Sequence, residues 1–538
     1  MKNFLKITVL LLIASCKNEV KNTTPVIQVD QATIANHIER LASDEFLGRK
    51  PFTEGERITV NYLKEEFEKL GLSPGNSDSF FQDVPMVEIT GKPSEKMLIS
   101  GKSGNLELDY LKDFVATTNK TVTEVGLENS ELVFAGYGIV APEYGWNDYE
   151  GVDWKGKTAV VLINDPGFQS GDSTWFKGNE MTYYGRWTYK YEEAARQGAA
   201  GLIIIHDTEP ASYGWNVIES GWSGARLVIE SDLPLLEVES WISGESAAKM
   251  FDASTMQGED YKAVSRTKAF KPIPLGLTVT VGIENEIKKD VSKNVVALKP
   301  GTDHKDEYII YSAHWDHFGV GKAIDGDSIY NGAVDNASGT AGLLAIAEAF
   351  EKSGPTQRSI VFMAVTGEEQ GLLGSAYYAE HPIFEPRKTV ANINIDALES
   401  PEKMKDLTIT GYGQSEMDQY AEAAAKQQGR YIIPDPVAEK GYFFRSDHFN
   451  FAKIGIPALY ASGAYEGFTK SIEEIKAMND DYDLHRYHQP SDEYDPKTTQ
   501  LSGVQLDLQL FYNVGYQLAN EDYFPKWYEG SEFKAARN

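Results

Sequence analysis

The chain has 538 residues, 41% hydrophobic and 12% aromatic, with 51 basic against 80 acidic side chains and a formal net charge of −29. That length exceeds one ordinary core and predicts two domains, and the apolar content excludes a disordered chain. The acidity is spread along the sequence with no basic block to neutralise phosphates, which argues against a nucleic-acid partner and for a solvated surface.

Lys2 and Lys6 flank an apolar run, Ile7 to Ala14, that is too short to span a bilayer. It ends Leu12-Ile13-Ala14-Ser15-Cys16, with Cys16 the single cysteine of the chain. This segment resembles the lipobox of bacterial lipoproteins. The resemblance implies residues 1–16 as a signal peptide, lipidation at Cys16, and an exported protein anchored at a membrane through that lipid. With Cys16 used, no thiol remains for a disulfide or a metal site, so any metal must take His, Asp and Glu.

Residues 17–28 read as a polar tether. Asp30 is placed to cap a helix whose Ile34, Ile38 and Leu41 share a face. Thr53-Glu54-Gly55-Glu56 opens a second helix through Phe67 and Leu70, with Gly71 to stop it. Residues 42–49 lie between them as a shaped loop. The character changes near Val125, where 133–138, 158–163 and 201–205 read as strands and 192–199 as a helix. This block, 125–265, resembles a protease-associated (PA) domain, a smaller β-rich α/β unit inserted between 29–120 and 270–522. Its His206 stands alone and reads as structural.

The main unit carries short apolar runs alternating with helices, which predict a mixed, largely parallel α/β sheet flanked by helices. Three of these runs end in metal-type ligands. Tyr308–Tyr311 leads into His314-Trp315-Asp316-His317, 359–365 into Glu368-Glu369, and Asn392-Ile393-Asn394-Ile395 into Asp396. Asp335-Asn336 precedes an apolar helix, and Tyr487-His488 comes late. Such sheets place their sites at the carboxyl ends of strands. Unpaired carboxylates collected there would repel one another and lose hydration, costs that a dication removes. Imidazole and carboxylate without thiolate suits zinc, with manganese or cobalt as other occupants.

The order H-x-D, Asp-Asn, Glu-Glu, N-x-D and a late Tyr-His resembles the M28 family of zinc peptidases. The resemblance implies two Zn²⁺, one held by His314, Asp335 and Asp396, the other by Asp335, Glu369 and His488. It implies Glu368 as general base and Asp316 as the acid that orients His314. Gln489 departs from the threonine that relatives often carry there. Arg445-Ser446-Asp447-His448 resembles a segment on the substrate side. Asp447 and His448 read as hydrogen-bonding scaffold, Arg445 as a carboxylate anchor or an ion pair, and Tyr442 as an oxyanion partner. His317, His381 and His485 read as surface or scaffold residues. The activity implied is dizinc exopeptidase action on peptides, first an aminopeptidase. A carboxypeptidase or dipeptidase is the nearest alternative, then a glutaminyl-cyclase-like acyltransferase or a binding protein. No G-x-S-x-G elbow or H-E-x-x-H motif occurs. Oligomeric state is not written in the sequence, and the aromatic, charged tail 523–538 has no functional reading.

Overall fold

A computed structural model describes residues 27–102 and 104–537. Cys16, the signal peptide and most of the tether lie outside the described residues. Among those described, no helix is long and apolar enough to cross a membrane.

Helix α1 (Gln31–Leu41) is capped by Asp30, whose carboxylate accepts the Ala32 N–H. Helix α2 (Glu54–Lys69) is capped by Thr53 accepting from Gly55 N–H, while Glu56 accepts from Phe52 N–H one residue before the cap. The next strands are β1 (Phe81–Pro93), β2 (Lys96–Gly101), β3 (Gly104–Asp109), β4 (Phe114–Thr117), β5 (Glu124–Phe134) and β6 (Thr158–Leu162). Helix α3 (Trp187–Arg196) precedes β7 (Gly201–Ile205) and β8 (Val238–Ile242). The chain then enters a 27-residue strand, β9 (Ile273–Lys299). After it come β10 (His304–His314), α4 (Gly339–Lys352), β11 (Arg358–Val365), β12 (Thr389–Asn394) and β13 (Asp406–Ile409). Helix α5 (Met417–Gln427), β14 (Tyr431–Pro434), β15 (Ala458–Ser462), α6 (Ile472–His485) and α7 (Ser502–Ala519) complete the set.

In the larger unit the strand order is β1–β9–β11–β10–β12–β15–β13–β14. Strands β11, β10, β12 and β15 are mutually parallel; β9 joins antiparallel, and β13 runs antiparallel to β15. This is the mixed, largely parallel sheet flanked by helices that the sequence predicts. Its central strands are apolar throughout because both faces are covered. Ile360, Phe362 and Ala364 pack with α1, α4 and α7, while Val361, Met363 and Val365 pack on the opposite face with Tyr378 and Phe451. Gly515 in α7 permits one close approach: a Cβ there would meet the Tyr311 hydroxyl at 1.7 Å. That hydroxyl donates to the Phe511 carbonyl at 2.8 Å.

In the smaller unit β5, β6, β7 and β8 are parallel neighbours, with β4 antiparallel beside β8. The first half of β9 pairs with β5 and β2, its second half with β1, and its last residues with β11. One strand thus runs through both units. Met97, Ile99, Leu108 and Phe114 share a core with Leu132, Ile203 and Val279. Strands β2 to β4, placed with the larger unit when residues 120 and 125 are taken as the boundary, therefore pack within the smaller one. Short alternating strands look alike in sequence whichever core they serve.

The tail closes the junction between the units. Trp527 donates to the Gly455 carbonyl at 2.9 Å, and Glu532 accepts from Tyr183 N–H at 3.2 Å. Phe533 packs among Tyr183, Phe443 and Phe449.

Glu239 on β8 is buried in the smaller unit, where it accepts from Asn119 at 2.9 Å. Burial, opposed by Arg226, raises its carboxyl from 4.5 to about 7. The folded state therefore holds this proton more tightly than the unfolded chain. The resulting stabilisation is full below pH 4.5 and is lost as pH rises through 7. Glu239→Gln, which keeps an acceptor for Asn119, should match the parent near pH 4.5 and exceed it at about pH 8 by up to about 3 kcal/mol. Urea unfolding of both proteins at the two pH values checks this.

Candidate metal centre

The ends of parallel strands deliver the ligands. His314 closes β10, Glu368 and Glu369 follow β11, and Asp396 follows β12. In register His314 lies opposite Val365, and Ser312 opposite Asn394, so three chain crossovers converge on one edge of the sheet. Asp335 sits on the irregular turn that leads into α4, with a cis peptide to Asn336. Gly332 starts that turn at φ +54, where a Cβ would meet the Asp335 carbonyl at 2.2 Å and the His317 ring at 2.6 Å.

Asp335 divides its carboxylate between two histidines. Oδ1 lies 3.2 Å from His314 Nε2, and Oδ2 lies 3.2 Å from His488 Nε2. Each histidine faces one further acid: Asp396 Oδ1 at 3.0 Å from His314 Nε2, and Glu369 Oε2 at 3.4 Å from His488 Nε2. Ligand atoms of His314, Asp335 and Glu369, and of His314, Glu368 and Asp396, also lie within 4.8 Å of one another. These trios group the acids differently from the two ligand sets expected, whereas the histidine distances follow those sets. The histidine distances are the stronger guide, because they assign separate oxygens of Asp335 to separate imidazoles.

The site is dominated by negative charge in a buried place. Burial, opposed by His314 but reinforced by Asp396, Asp447 and Asp335, holds Glu368 well above the usual carboxyl range. Burial, reinforced by Asp335 and Glu368, does the same to Glu369. Asp335 moves the other way: burial opposes ionisation, but hydrogen bonds from His314 and His488 hold it below its ordinary value. Asp396 Oδ2 accepts from Ser446 Oγ at 2.5 Å. Nitrogen and oxygen donors converging here without a thiolate fit zinc ions. Such ions would be held by His314, Asp335, Asp396, Glu369 and His488.

The predicted supporting residues take several positions. The Asp316 backbone carbonyl is 3.1 Å from His314 Nδ1, and its carboxylate stands off at 3.9 Å. That carboxylate accepts instead from Glu368 N–H at 3.1 Å. Asp316 thus acts on the turn that carries Glu368 as much as on the histidine. Burial raises it to about 6. Asp447 is buried, accepts from Ser375 Oγ at 2.5 Å, and is raised to about 7 by burial. His448 is buried between the Phe443 and Tyr460 rings, and burial lowers it to about 3. Arg445 is exposed, donates to the Lys440 carbonyl at 2.8 Å, and lies 4.9 Å over the Tyr442 ring. Tyr442 is 40% exposed and is drawn under Arg445, not to the carboxylates. Tyr460 and Tyr487 are phenols in the carboxylates' field, both raised by burial and by Asp335, Glu368 and Asp396. Tyr487 stacks on His488 with ring centroids 3.8 Å apart.

Sequence reasoning missed four supports. His317, read as scaffold or surface, is fully buried with Nδ1 2.6 Å from Glu369 Oε1, which aims the other oxygen at His488. Asp492 accepts from Val334 N–H and Asp335 N–H, each at 3.1 Å, and clamps the turn from behind. Ser446 fixes Asp396. Arg49, from the shaped loop after α1, is buried and donates to four carbonyls: Trp315 at 2.9 Å, Leu41 at 2.8 Å, Asn331 at 2.6 Å and Gly332 at 2.9 Å. Burial lowers it to about 10, while Asp492, Asp335, Asp316 and Glu369 pull it back. Its signal in sequence was only an arginine in an otherwise compact turn.

Residues 294–506 match peptidase family M28. Aminopeptidase NAALADL1 of Mus musculus is 32% identical over 161 residues, 29% of this chain and 20% of that protein. Leucine aminopeptidase 2 of Arthroderma otae is 28% identical over 316 residues, 56% of this chain and 59% of that protein. The chain thus spans between a fifth and three fifths of these relatives' lengths. An aminopeptidase structure from Aneurinibacillus sp. strain AM-1 aligns with 92% of this chain and 96% of its own, at 19% identity and a TM-score of 0.47.

Arg49→Met should remove a donor from four backbone carbonyls, of which Gly332 keeps the Ala337 N–H, and cost about 3 kcal/mol. The expected outcome is a lower melting temperature together with metal content below the parent's, read by thermal denaturation and elemental analysis. Melting and metal content equal to the parent's would remove Arg49 from the support of the site.

Proposed function

We propose that this chain, whose residues 294–506 match peptidase family M28, is a dizinc metallo-exopeptidase, an aminopeptidase releasing N-terminal residues from peptides. The observation that carries the reading is Asp335, with one oxygen at 3.2 Å from His314 and the other at 3.2 Å from His488. Zinc bound by these residues supplies Lewis acidity toward the scissile carbonyl and a nucleophile at neutral pH; manganese or cobalt suits the same donors.

The chain's own groups do the rest. Glu368 takes the proton of the attacking water on its carboxylate and returns it to the leaving amine, a role typically contributing about 10²–10⁴-fold. Asp316 and the turn around Gly367 hold the Glu368 backbone, and His317 commits Glu369 to the metal side. The anchor implied by Cys16 would place this activity at a membrane of an exporting cell, and a PA-like smaller unit would border the approach to the site.

A carboxypeptidase or dipeptidase is the second reading, favoured by one observation. Arg186, from the smaller unit, is lowered to about 10 by burial and then by Arg445, and its Nε lacks a hydrogen-bond partner. Two guanidinium groups repelling one another suit a substrate carboxylate. Metal analysis beside hydrolysis of N-free and N-blocked peptides separates the readings. Two zinc per chain with cleavage of free N-termini alone is the expected result.

Glu368→Gln should retain both metals and lose turnover by about 10²-fold or more. Asp335→Ala should lose both metals, because Asp335 lies 3.2 Å from each of the two histidines. Elemental analysis and steady-state kinetics on the two variants check these outcomes.

A further inference from the structure

A cavity of about 410 Å³ lies behind the bridging-ligand turn, within the size range of small-ligand sites. None of the five proposed metal ligands, nor Glu368, lines it. Its apolar wall includes Ile38 of α1, Leu398, Met478 of α6 and Val504 of α7. Its charged wall carries Arg486 and Glu399, the latter raised to about 8 by burial against the pull of Arg486. Arg486 rests 5.2 Å over the Tyr482 ring, and its Nε is buried without a hydrogen-bond partner. Asp481 and Glu493 add further acid to the lining.

This combination is specific. A lone anion would meet Arg486 but also the surrounding acids, and a lone cation would leave the arginine unmatched. A purely apolar molecule would bury both charges unpaired, which is costly. An α-amino acid carries ammonium and carboxylate on one carbon, beside its side chain. It can give the ammonium to Glu399, the carboxylate to Arg486, and an aliphatic side chain to Leu398, Met478 and Val504. We propose that this cavity is a binding site for a free apolar α-amino acid, separate from the metal centre.

The cavity also touches the frame of that centre. Ser338, in its wall, donates to the Val334 carbonyl at 2.7 Å and accepts from Leu398 N–H at 3.1 Å. This bracket joins the turn bearing Asp335 to the segment leaving Asp396. Occupancy of the cavity therefore bears on the geometry of the bridging ligand, and a released amino acid of the proposed reaction belongs to the class the cavity takes. The binding itself does not require that reaction.

The test is calorimetric titration of L-leucine into the full zinc-loaded chain carrying Glu368→Gln. The same titration is run with Met478→Trp added, which fills the cavity from α6, and separately with Arg486→Gln added. One leucine site should weaken by about tenfold or more in both variants, with zinc content and melting temperature kept in the Met478→Trp protein. N-acetyl-L-leucine and isopentylamine, each lacking one charge, should bind that site about tenfold more weakly or worse. A leucine isotherm unchanged by Met478→Trp overturns the proposal, as does equal binding by either single-charge analogue. Because the readout is binding, failure of the peptidase reading leaves this result interpretable: a chain with no turnover still gains or loses the site.

Discussion

The crowding of Asp316, Asp335, Glu368, Glu369 and Asp396 at one buried sheet edge is the constraint on which the rest of this structure depends. Carboxylates in a low-dielectric place either bind protons or find cations. Arg49 supplies a single charge, spent on four backbone carbonyls, so it stabilises the turns more than it neutralises the acids. The imidazoles of His314 and His488 each meet two acids through one nitrogen. Zinc bound among these groups would relieve both the repulsion and the lost hydration. The parallel sheet creates this crowding, because its strands all finish on the same edge.

Holding such a cluster requires supports from distant parts of the chain. Asp492 braces the turn from the C-terminal side, Arg49 from the N-terminal side, and Ser446 fixes Asp396 from the segment that also carries Arg445. That segment is packed in turn against the smaller unit and the tail, through Phe443, Phe444, Phe449, Met181 and Phe533. Strand β9 enters both sheets, so the two units cannot shift freely along its length. The segment that carries Ser446 is therefore held by contacts far from the candidate ligands.

What was legible in the sequence was what lies beside an apolar run. His314, Glu368, Glu369 and Asp396 each follow a strand that announces itself as buried, and Asp335 precedes a helix. Their supports carry no such marker. Arg49 and Trp315 are 266 residues apart, and only the fold brings them together. His317 and Tyr487 sit beside ligands, yet nothing local says which neighbour turns inward; Tyr442 had as good a claim until Arg445 was seen to cover it. The division between units was blurred for a related reason. Strands β2 and β3 alternate as either sheet would require and β4 is a short buried run, and their allegiance is decided by packing with Phe134 and Val279.

Glu368 and Glu369 show how two identical neighbours come under different restraints. Glu369 is fastened at one oxygen by His317, so its second oxygen has a fixed direction toward His488. Glu368 is fastened through its backbone instead: its N–H binds Asp316, and its carbonyl accepts from Gly371 and Leu372. Its carboxylate is left in the field of His314, Asp396 and Asp447, with no imidazole of its own. A group held in place by its main chain while its side chain remains able to bind and release a proton suits a general base. A group whose side chain is pinned suits a ligand. The difference lies in which atoms are restrained, and the residue that decides it for Glu369 is His317.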